Sequence, residues 1–517
     1  MADLLASIAS SNAAPAAPIA TTHRMGLSEE EAAFLLQEAT AFAAGHGMLV
    51  QAPEQRYAHL PYCLLPVAFP KTQFEKGVAL GPLFGTLVDR ISEDPDWLHA
   101  QLESVLAEDP FTRRLVELSK LVQANGRAQP ASLGIFRSDY MLHDDPSDEH
   151  AAKILQVELN TISASFACMS SLASELHHYL LSRFEADMPS LARYYGTTIT
   201  SLASHLPANP ALKALPDALA KAHAHYGRPS AVVLFVVQPN ESNSVDQRWL
   251  EYTLWTEHKI KVLRRTLLDM HRATQDATTK ALWVDGKYEV AVAYFRAGYT
   301  PTDYPSEHEW SGRTNIETSL AIKCPNVTYH LAGTKKVQQV LASPAQLRRF
   351  MSENESRVLE ACFTGLYGLE KQSPDLAASV IESIAPGAHH QCHSIKAAVR
   401  ANPQGYVLKP QREGGGNNFY GQEVVDQMDK MTPEELESYI LMDRIVPQET
   451  PAILVRNAQA VAGATISELG MYSVSLFVHG KAIVNEHAGH LLRTKLSSTN
   501  EGGVAAGFAV LSSPFLV

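Results

Sequence analysis

Lys409-Pro410-Gln411-Arg412-Glu413-Gly414-Gly415-Gly416-Asn417-Asn418-Phe419-Tyr420-Gly421 follows a short β-prone run, Gly405-Tyr406-Val407-Leu408, so Lys409 leaves the end of a predicted strand. Gly414, Gly415 and Gly416 carry no Cβ and adopt positive φ freely, so their N–H groups can converge on an anion. Lys409 supplies a point charge for phosphate, and Glu413 is a hard oxygen ligand for Mg²⁺. A glycine cover, a cation and a carboxylate this close together suggest a site for a nucleoside triphosphate. The competing reading is a glycine-rich hairpin that only turns the chain. The spacing is neither that of a Walker A loop nor that of a dinucleotide fingerprint.

Around this stretch lie 517 residues, enough for about three domains. A net charge of −12 argues against a dedicated nucleic-acid or anionic-membrane surface, so anions must be met by locally placed Lys and Arg. Five scattered cysteines, Cys63, Cys168, Cys324, Cys362 and Cys392, form no CxxC pair and fit reduced thiols in a cytoplasmic compartment. The longest apolar run, Ala231 to Val237, falls far short of a membrane span. Residues 1–27 are Ala/Ser/Pro-rich and expected to be disordered, with organelle targeting as the alternative to the cytoplasm. Ser28 has the character of an N-cap, with Glu31 three residues on.

Strand-like runs at Ser132–Phe136, Ile154–Leu159, Ala231–Val237, Lys259–Leu263, Glu289–Phe295, Tyr406–Lys409 and Tyr439–Ile445 are interleaved with helical periodicity. That pattern predicts a mixed α/β (α+β) architecture. From Ala231 to about Pro301 the order of elements suggests a βαβ-type substrate-binding unit. Residues 371–404 read as a mixed helix and loop connection.

Glu158 and Asn160 end a β-prone run and alternate onto one face, where two oxygen ligands can hold Mg²⁺. Thr161 to Ser165 add hydroxyls; taken alone, the segment also reads as a solvated strand edge with a capping turn. Arg493 and Lys495 share a face if extended, and the small residues Gly502 to Gly507 allow close backbone approach to a ligand. Their plainer readings are a surface pair and a tight core contact. Arg137 and Arg296, the latter with Tyr299, follow apolar strand-like runs, the position where open α/β sheets bind ligands. His389-His390-Gln391-Cys392-His393 fits no common zinc spacing. No nucleophile elbow or acid/base dyad is visible, which leaves phosphoryl transfer run by positioning and charge.

These segments, together with Leu331–Gln339 and Ile466–Gly470, closely resemble the eukaryotic-type glutathione synthetase family of ATP-grasp ligases, from about residue 28 to the C-terminus. The resemblance implies an ATP-grasp-type fold with an inserted βαβ substrate-binding subdomain and a glycine-rich lid. It divides the chain into a tail (1–27), an N-terminal part of the core (28–230), a substrate-binding subdomain (231–335) and core with lid (336–517). It implies joining of γ-glutamylcysteine to glycine through an acyl phosphate, with ATP and two Mg²⁺. By resemblance Glu158, Asn160 and Glu413 hold metal. Lys335, Lys409, Gly414, Gly415, Gly416, Asn418, Tyr420, Met442, Ile445, Glu468, Lys495 and Glu501, with Glu158, meet ATP. Arg137 and Arg493 match the substrate and transition-state cations. Ser163, Ser165, Glu241, Asn243, Gln247, Arg296 and Tyr299 match the dipeptide pocket, and Val504 and Ala505 the loop on the glycine side. A homodimer is expected. Departures stand at Ala167-Cys168, Ser242, Ala297 and Glu501; retained Ala505-Ala506 favours glycine over β-alanine. Alternatives are a ligase with another acceptor amine and a silent binding paralogue.

Overall fold

The computed structural model describes residues 25–52, 56–144, 152–198, 201–241, 243–369, 395–411, 417–499, 504, 507 and 509–517. The chain opens with helix α1 (Glu29–Gly45), where Ser28 and Glu31 form the expected reciprocal cap, Glu31 N to Ser28 Oγ 3.2 Å and Ser28 N to Glu31 Oε2 2.8 Å. Leu27 before it is fully buried, so ordered packing begins ahead of Ser28. Residues 1–24 lie outside the described residues.

In chain order there follow β1 (Tyr62–Cys63), α2 (Lys71–Ser92), α3 (Pro110–Ala124), β2 (Ala131–His143), β3 (Lys153–Asn160) and α4 (Ala167–Phe184). Next come β4 (Val232–Val236), α5 (Ser244–His258), β5 (Val262–Arg265), β6 (Thr274–Gln275), β7 (Leu282–Val284), β8 (Tyr288–Phe295), α6 (Glu307–Glu317), β9 (Ile322–Cys324) and α7 (Lys335–Leu341). The last third holds β10 (Leu366–Gly368), β11 (Tyr406–Pro410), β12 (Phe419–Tyr420), β13 (Tyr439–Asp443), β14 (Thr450–Arg456), β15 (Gln459–Val478), β16 (Lys481–Leu496) and β17 (Val510–Ser512). Of the region read as a mixed connection, residues 371–394 are outside the described set, and Ile395–Ala401 is helical.

Three sheets position everything else. The largest has the order β14-β1-β17-β16-β15-β2-β3, the second β5-β4-β8-β7-β6 with β9 against β8, the third β10-β13-β11-β12. In the second sheet β4 lies parallel to both β5 and β8, and α5 supplies the crossover that a parallel β4–β5 pair requires. The strand read as starting at Lys259 begins at Val262, because Lys259 is left-handed (φ 57°) and ends α5. The long hairpin β15–β16 turns through His479 and Gly480, both with positive φ, as a two-residue I′ turn demands.

Alternation divides the large sheet between two cores. Leu133, Ile135, Tyr472, Val474 and Leu491 face one, with α1 and α4 residues such as Leu35 and Leu176. Phe136, Tyr140, Leu469, Met471 and Leu492 face the other, with Phe84 and Leu115 from α2 and α3. The four described cysteines, Cys63, Cys168, Cys324 and Cys362, are buried and free. Among the described residues no helix is long and apolar enough to cross a membrane.

Candidate active site

On the first core's face of the large sheet, the strands change from apolar to charged toward the same end. In β2 the inward residues run Leu133, Ile135, then Arg137 and Asp139; in β16 they run Leu491, then Arg493 and Lys495. Register places Asn160 opposite Arg137, Glu158 opposite Asp139, and Glu468 opposite both Arg493 and Met141. Gly470 pairs with Asp139, and a Cβ there would stand 2.8 Å from both Arg137 Cδ and Asp139 Oδ1. Glycine in Ile466–Gly470 thus clears the path for a buried ion pair.

That pair is two-pronged: Arg137 Nε to Asp139 Oδ1 2.7 Å, Nη2 to Oδ2 2.8 Å. Arg493 Nη2 reaches the same Asp139 Oδ2 at 3.1 Å and also donates to Glu468. Asn160 Nδ2 donates to Asp139 Oδ2 (3.0 Å), Glu158 Oε1 (3.3 Å) and Arg137 O (3.3 Å). Its amide oxygen is thereby the end left for a ligand. Lys335 Nζ binds Glu158 Oε2 at 2.9 Å, and Lys409 Nζ donates to Val157 O at 3.1 Å. Burial raises the Glu158 carboxyl, but Lys335 and Lys409 outweigh it and hold the group below the usual carboxylate range. Burial disfavours the Arg493 cation; Glu468 and Asp139 reverse this and raise it.

Facing this polar floor across a cleft of about 290 Å³ is the third sheet. Tyr420, Val407 and Met442 stand side by side across β12, β11 and β13. With Ile445 they make an apolar wall, opposite Ile466 of β15, suited to a flat aromatic base, while Lys409 continues the β11 face toward the charged end. Arg137, Glu158, Asn160, Lys335, Lys409 and Asn418 line this one cleft, as do Tyr420, Met442, Ile445, Glu468, Arg493 and Lys495. The structure therefore brings together twelve residues named from the sequence. Asn418 Nδ2 also lies 3.4 Å from the Tyr420 hydroxyl. Glu413, Gly414, Gly415, Gly416, Glu501 and Ala505 lie outside the described residues, as do Ser242 and the His389–His393 cluster. Val504 is packed in the first core and is not among the residues lining the cleft.

A second cluster adjoins the cleft at Ser165. Its carbonyl accepts from Arg137 Nη1 (3.4 Å) and from the Tyr472 hydroxyl, and its Oγ accepts from Arg296 Nη2 at 2.7 Å. Arg296 Nη1 donates to Ala164 O at 2.8 Å, while its Nε is buried with no acceptor among the described residues. Ser163, at φ 54°, donates to Phe295 O at 3.1 Å. Glu241 accepts from Gln247 Nε2 (2.6 Å) and Asn243 N (2.8 Å). Tyr299 lies 3.4 Å from Gln238 Nε2. Of the seven predicted dipeptide-pocket residues, Ser163 and Ser165 lie in the β3–α4 connection, Glu241 and Asn243 between β4 and α5, Gln247 at the start of α5, and Arg296 and Tyr299 just after β8. One carboxylate, Glu241, and one guanidinium, Arg296, supply opposite charges that suit the ammonium and carboxylate of an amino acid head.

Sequence reading gave no role to Asp139, Asp246, Arg264 or Tyr472. Asp246 caps α4 from α5, accepting from Phe166 N (2.8 Å), Cys168 N (3.1 Å) and Met169 N (3.2 Å). Arg264 Nη2 donates to Gln247 Oε1 at 2.8 Å and so turns the amide nitrogen toward Glu241. Only Asp139 had a local signal, its i, i+2 spacing from Arg137 on one strand.

A family profile described as eukaryotic glutathione synthase, ATP binding domain, matches residues 29–516. Glutathione synthetase, chloroplastic, of Solanum lycopersicum is 43% identical over 465 residues, 89% of this chain and 78% of that protein. Glutathione synthetase of Homo sapiens is 37% identical over 492 residues, covering 93% and 96%. Among solved structures, the apo form of a glutathione synthetase-like effector (GSS30) from Globodera pallida superposes with a TM-score of 0.73 at 21% identity, covering 96% of this chain and 99% of that one. The fold is shared with that glutathione synthetase-like effector, and the profile and relatives define an ATP-dependent ligase that forms a peptide bond. Within that class, the chain belongs to the eukaryotic glutathione synthase family.

Proposed function

We propose that the protein ligates γ-glutamylcysteine to glycine at the expense of ATP, through an acyl phosphate on the cysteinyl carboxylate. The observation that carries this is the junction at Ser165, where the dipeptide cluster meets the charged floor of the nucleotide cleft through Arg137. A dipeptide held by Glu241 and Arg296 would extend its far carboxylate toward Arg137 and Arg493. The apolar wall of Tyr420, Met442 and Ile445 takes the base, and Lys335, Lys409 and Lys495 take the phosphates. Asn418 and Glu468 complete the nucleotide contacts.

Glu158 and Asn160 fit Mg²⁺: a carboxylate kept ionised and an amide whose nitrogen is turned away are hard oxygen donors at a shared strand end. Two ions, with Glu413 as a further ligand, would neutralise the triphosphate and the charge developing during transfer. Arg137 and Arg493, locked by Asp139, orient the carboxylate and stabilise the transferring phosphoryl group without reorganising. The glycine-rich segment 414–416 and the segment carrying Val504 and Ala505 would exclude water from the acyl phosphate.

In this reading residues 231–335 form the substrate-binding subdomain between the two parts of the core, and the protein works as a cytoplasmic homodimer. ADP release is to be measured with ATP, Mg²⁺, γ-glutamylcysteine and either glycine or β-alanine. Turnover requiring both dipeptide and glycine supports the reading; turnover with β-alanine alone keeps the mechanism and changes the acceptor. Nucleotide binding without turnover favours a silent paralogue.

A further inference from the structure

Helix α7 carries Lys335 to Glu158, yet its N-cap Thr334 makes no side-chain cap bond. The first-turn N–H groups need acceptors, and a side chain 75 residues away supplies one: Lys336 N donates to Gln411 Oε1 at 3.0 Å. Gln411 is the residue directly after β11, two beyond Lys409, and is 8% exposed.

The same helix is fastened on its other side. Gln338 Oε1 accepts from Leu159 N at 2.9 Å, and Nε2 donates to Leu159 O at 3.4 Å and to Gly333 O at 2.7 Å. Among the described residues β3 is the outermost strand of the large sheet, and no strand neighbours Leu159 on that side. The carboxamide of Gln338 takes the place of one. Leu159 stands between Glu158 and Asn160.

Two carboxamides therefore tie one short helix to both walls of the cleft, Gln338 to the metal-ligand strand and Gln411 to the strand bearing Lys409. We infer that Gln338 and Gln411 are positioning residues that make α7 a brace, fixing Lys335 relative to Glu158 and Lys409 and so setting affinity for the metal–nucleotide complex. The dipeptide cluster is carried by other elements, the β3–α4 connection, α5 and the segments that follow β4 and β8. The inference rests on the ligase reading above for its turnover arm, and on nucleotide binding alone for its other arm.

The test uses the full-length protein and four variants. Gln411→Met and Gln338→Met remove the polar ends at nearly constant volume; Gln411→Glu keeps the acceptor oxygen; Gln339→Met removes the acceptor of Lys336 Nζ (2.8 Å), a bond within α7 that reaches neither wall. Steady-state constants for MgATP and γ-glutamylcysteine, melting temperature, and MgADP affinity by titration calorimetry are compared. The two brace-breaking variants are expected to raise the MgATP KM and the MgADP Kd about tenfold, the scale of one buried hydrogen-bonding group left unmatched. The dipeptide KM should stay within about twofold, Gln411→Glu should restore most of the affinity, and Gln339→Met should match wild type. Unchanged MgADP affinity overturns the inference. So does a uniform loss in every constant that tracks melting temperature, because that describes a merely structural role. If Gln411→Met yields no folded protein, Gln338→Glu decides. It keeps the acceptor for Leu159 N–H and loses both donors, and unchanged MgADP affinity there overturns the brace. Wild-type protein that binds MgADP without turning over sinks the ligase reading instead and leaves the calorimetric comparison intact.

Discussion

Arg137 and Asp139, two residues apart on one strand, are joined at both prongs (2.7 and 2.8 Å), and Arg493 from another strand closes on the same carboxylate at 3.1 Å. Asp139 is fully buried, so Arg137 depends on an anion that water cannot replace, and Arg493 shares that anion while also holding Glu468. Asp139→Asn is expected to cost about 3–5 kcal/mol in urea denaturation, the scale for breaking a buried pair. The double variant Arg137→Met with Asp139→Leu should recover much of that stability and none of the activity. If the single variant keeps wild-type stability, the pair is not the anchor described here.

How much of this was legible beforehand depends on the range of each interaction. Alternation along one strand put Glu158 beside Asn160 and Arg493 beside Lys495, and both pairings are present because strand geometry is local. The same rule applied to Arg137-Ser138-Asp139 would have found Asp139. Asp246, capping a helix some 80 residues earlier in the chain, had no such signal. Arg264, Gln338 and Gln411 act on partners brought near only by sheet order and helix docking, which periodicity does not encode. The onset of β5 was misplaced because a lysine in the left-handed region ends α5 and gives no glycine or proline mark.

Arg493 should matter more to the reaction than to nucleotide capture. Its guanidinium is held by Glu468 and Asp139 and lines the cleft, a geometry that a lysine ammonium cannot reproduce. Arg493→Lys is expected to lower kcat about 100-fold, comparable to deleting one preorganised donor, with MgATP KM changing by less than about threefold. Steady-state kinetics with kcat unchanged would remove it from the transition state.

Glu158→Gln separates metal binding from packing. The amide keeps the shape but loses the charge that Lys335 and Lys409 neutralise. Half-saturating Mg²⁺ is expected to rise at least about tenfold, with the dipeptide KM nearly unchanged. A Mg²⁺ titration of turnover that superposes on wild type would remove Glu158 from the ligand set.

Arg264 reaches the dipeptide cluster through Gln247. Without its 2.8 Å bond to Oε1 the Gln247 amide can flip and present oxygen to Glu241. Arg264→Met should raise the KM for γ-glutamylcysteine about tenfold, leaving MgATP KM and kcat within about twofold. Equal losses for both substrates would instead show a general effect on the second sheet.

Asp89 offers a test of stability remote from the cleft. It lies on α2 and accepts from the Tyr329 hydroxyl at 2.6 Å. Burial raises its carboxyl to about 6, the Tyr329 hydrogen bond only partly offsetting this. An unfolded aspartate titrates near about 3.9, so the folded state holds the proton more tightly. The group's stabilising contribution is therefore complete below about pH 4 and is lost as pH rises through about 6, where ionising the buried carboxyl costs roughly 2–3 kcal/mol. Asparagine keeps an acceptor for Tyr329 and never ionises. Asp89→Asn is expected to be more stable than wild type at pH 8 by up to that amount, the gap narrowing on acidification and closing near pH 4. Urea denaturation across this range reads the difference directly, and a gap that widens toward low pH would reverse the sign of the argument.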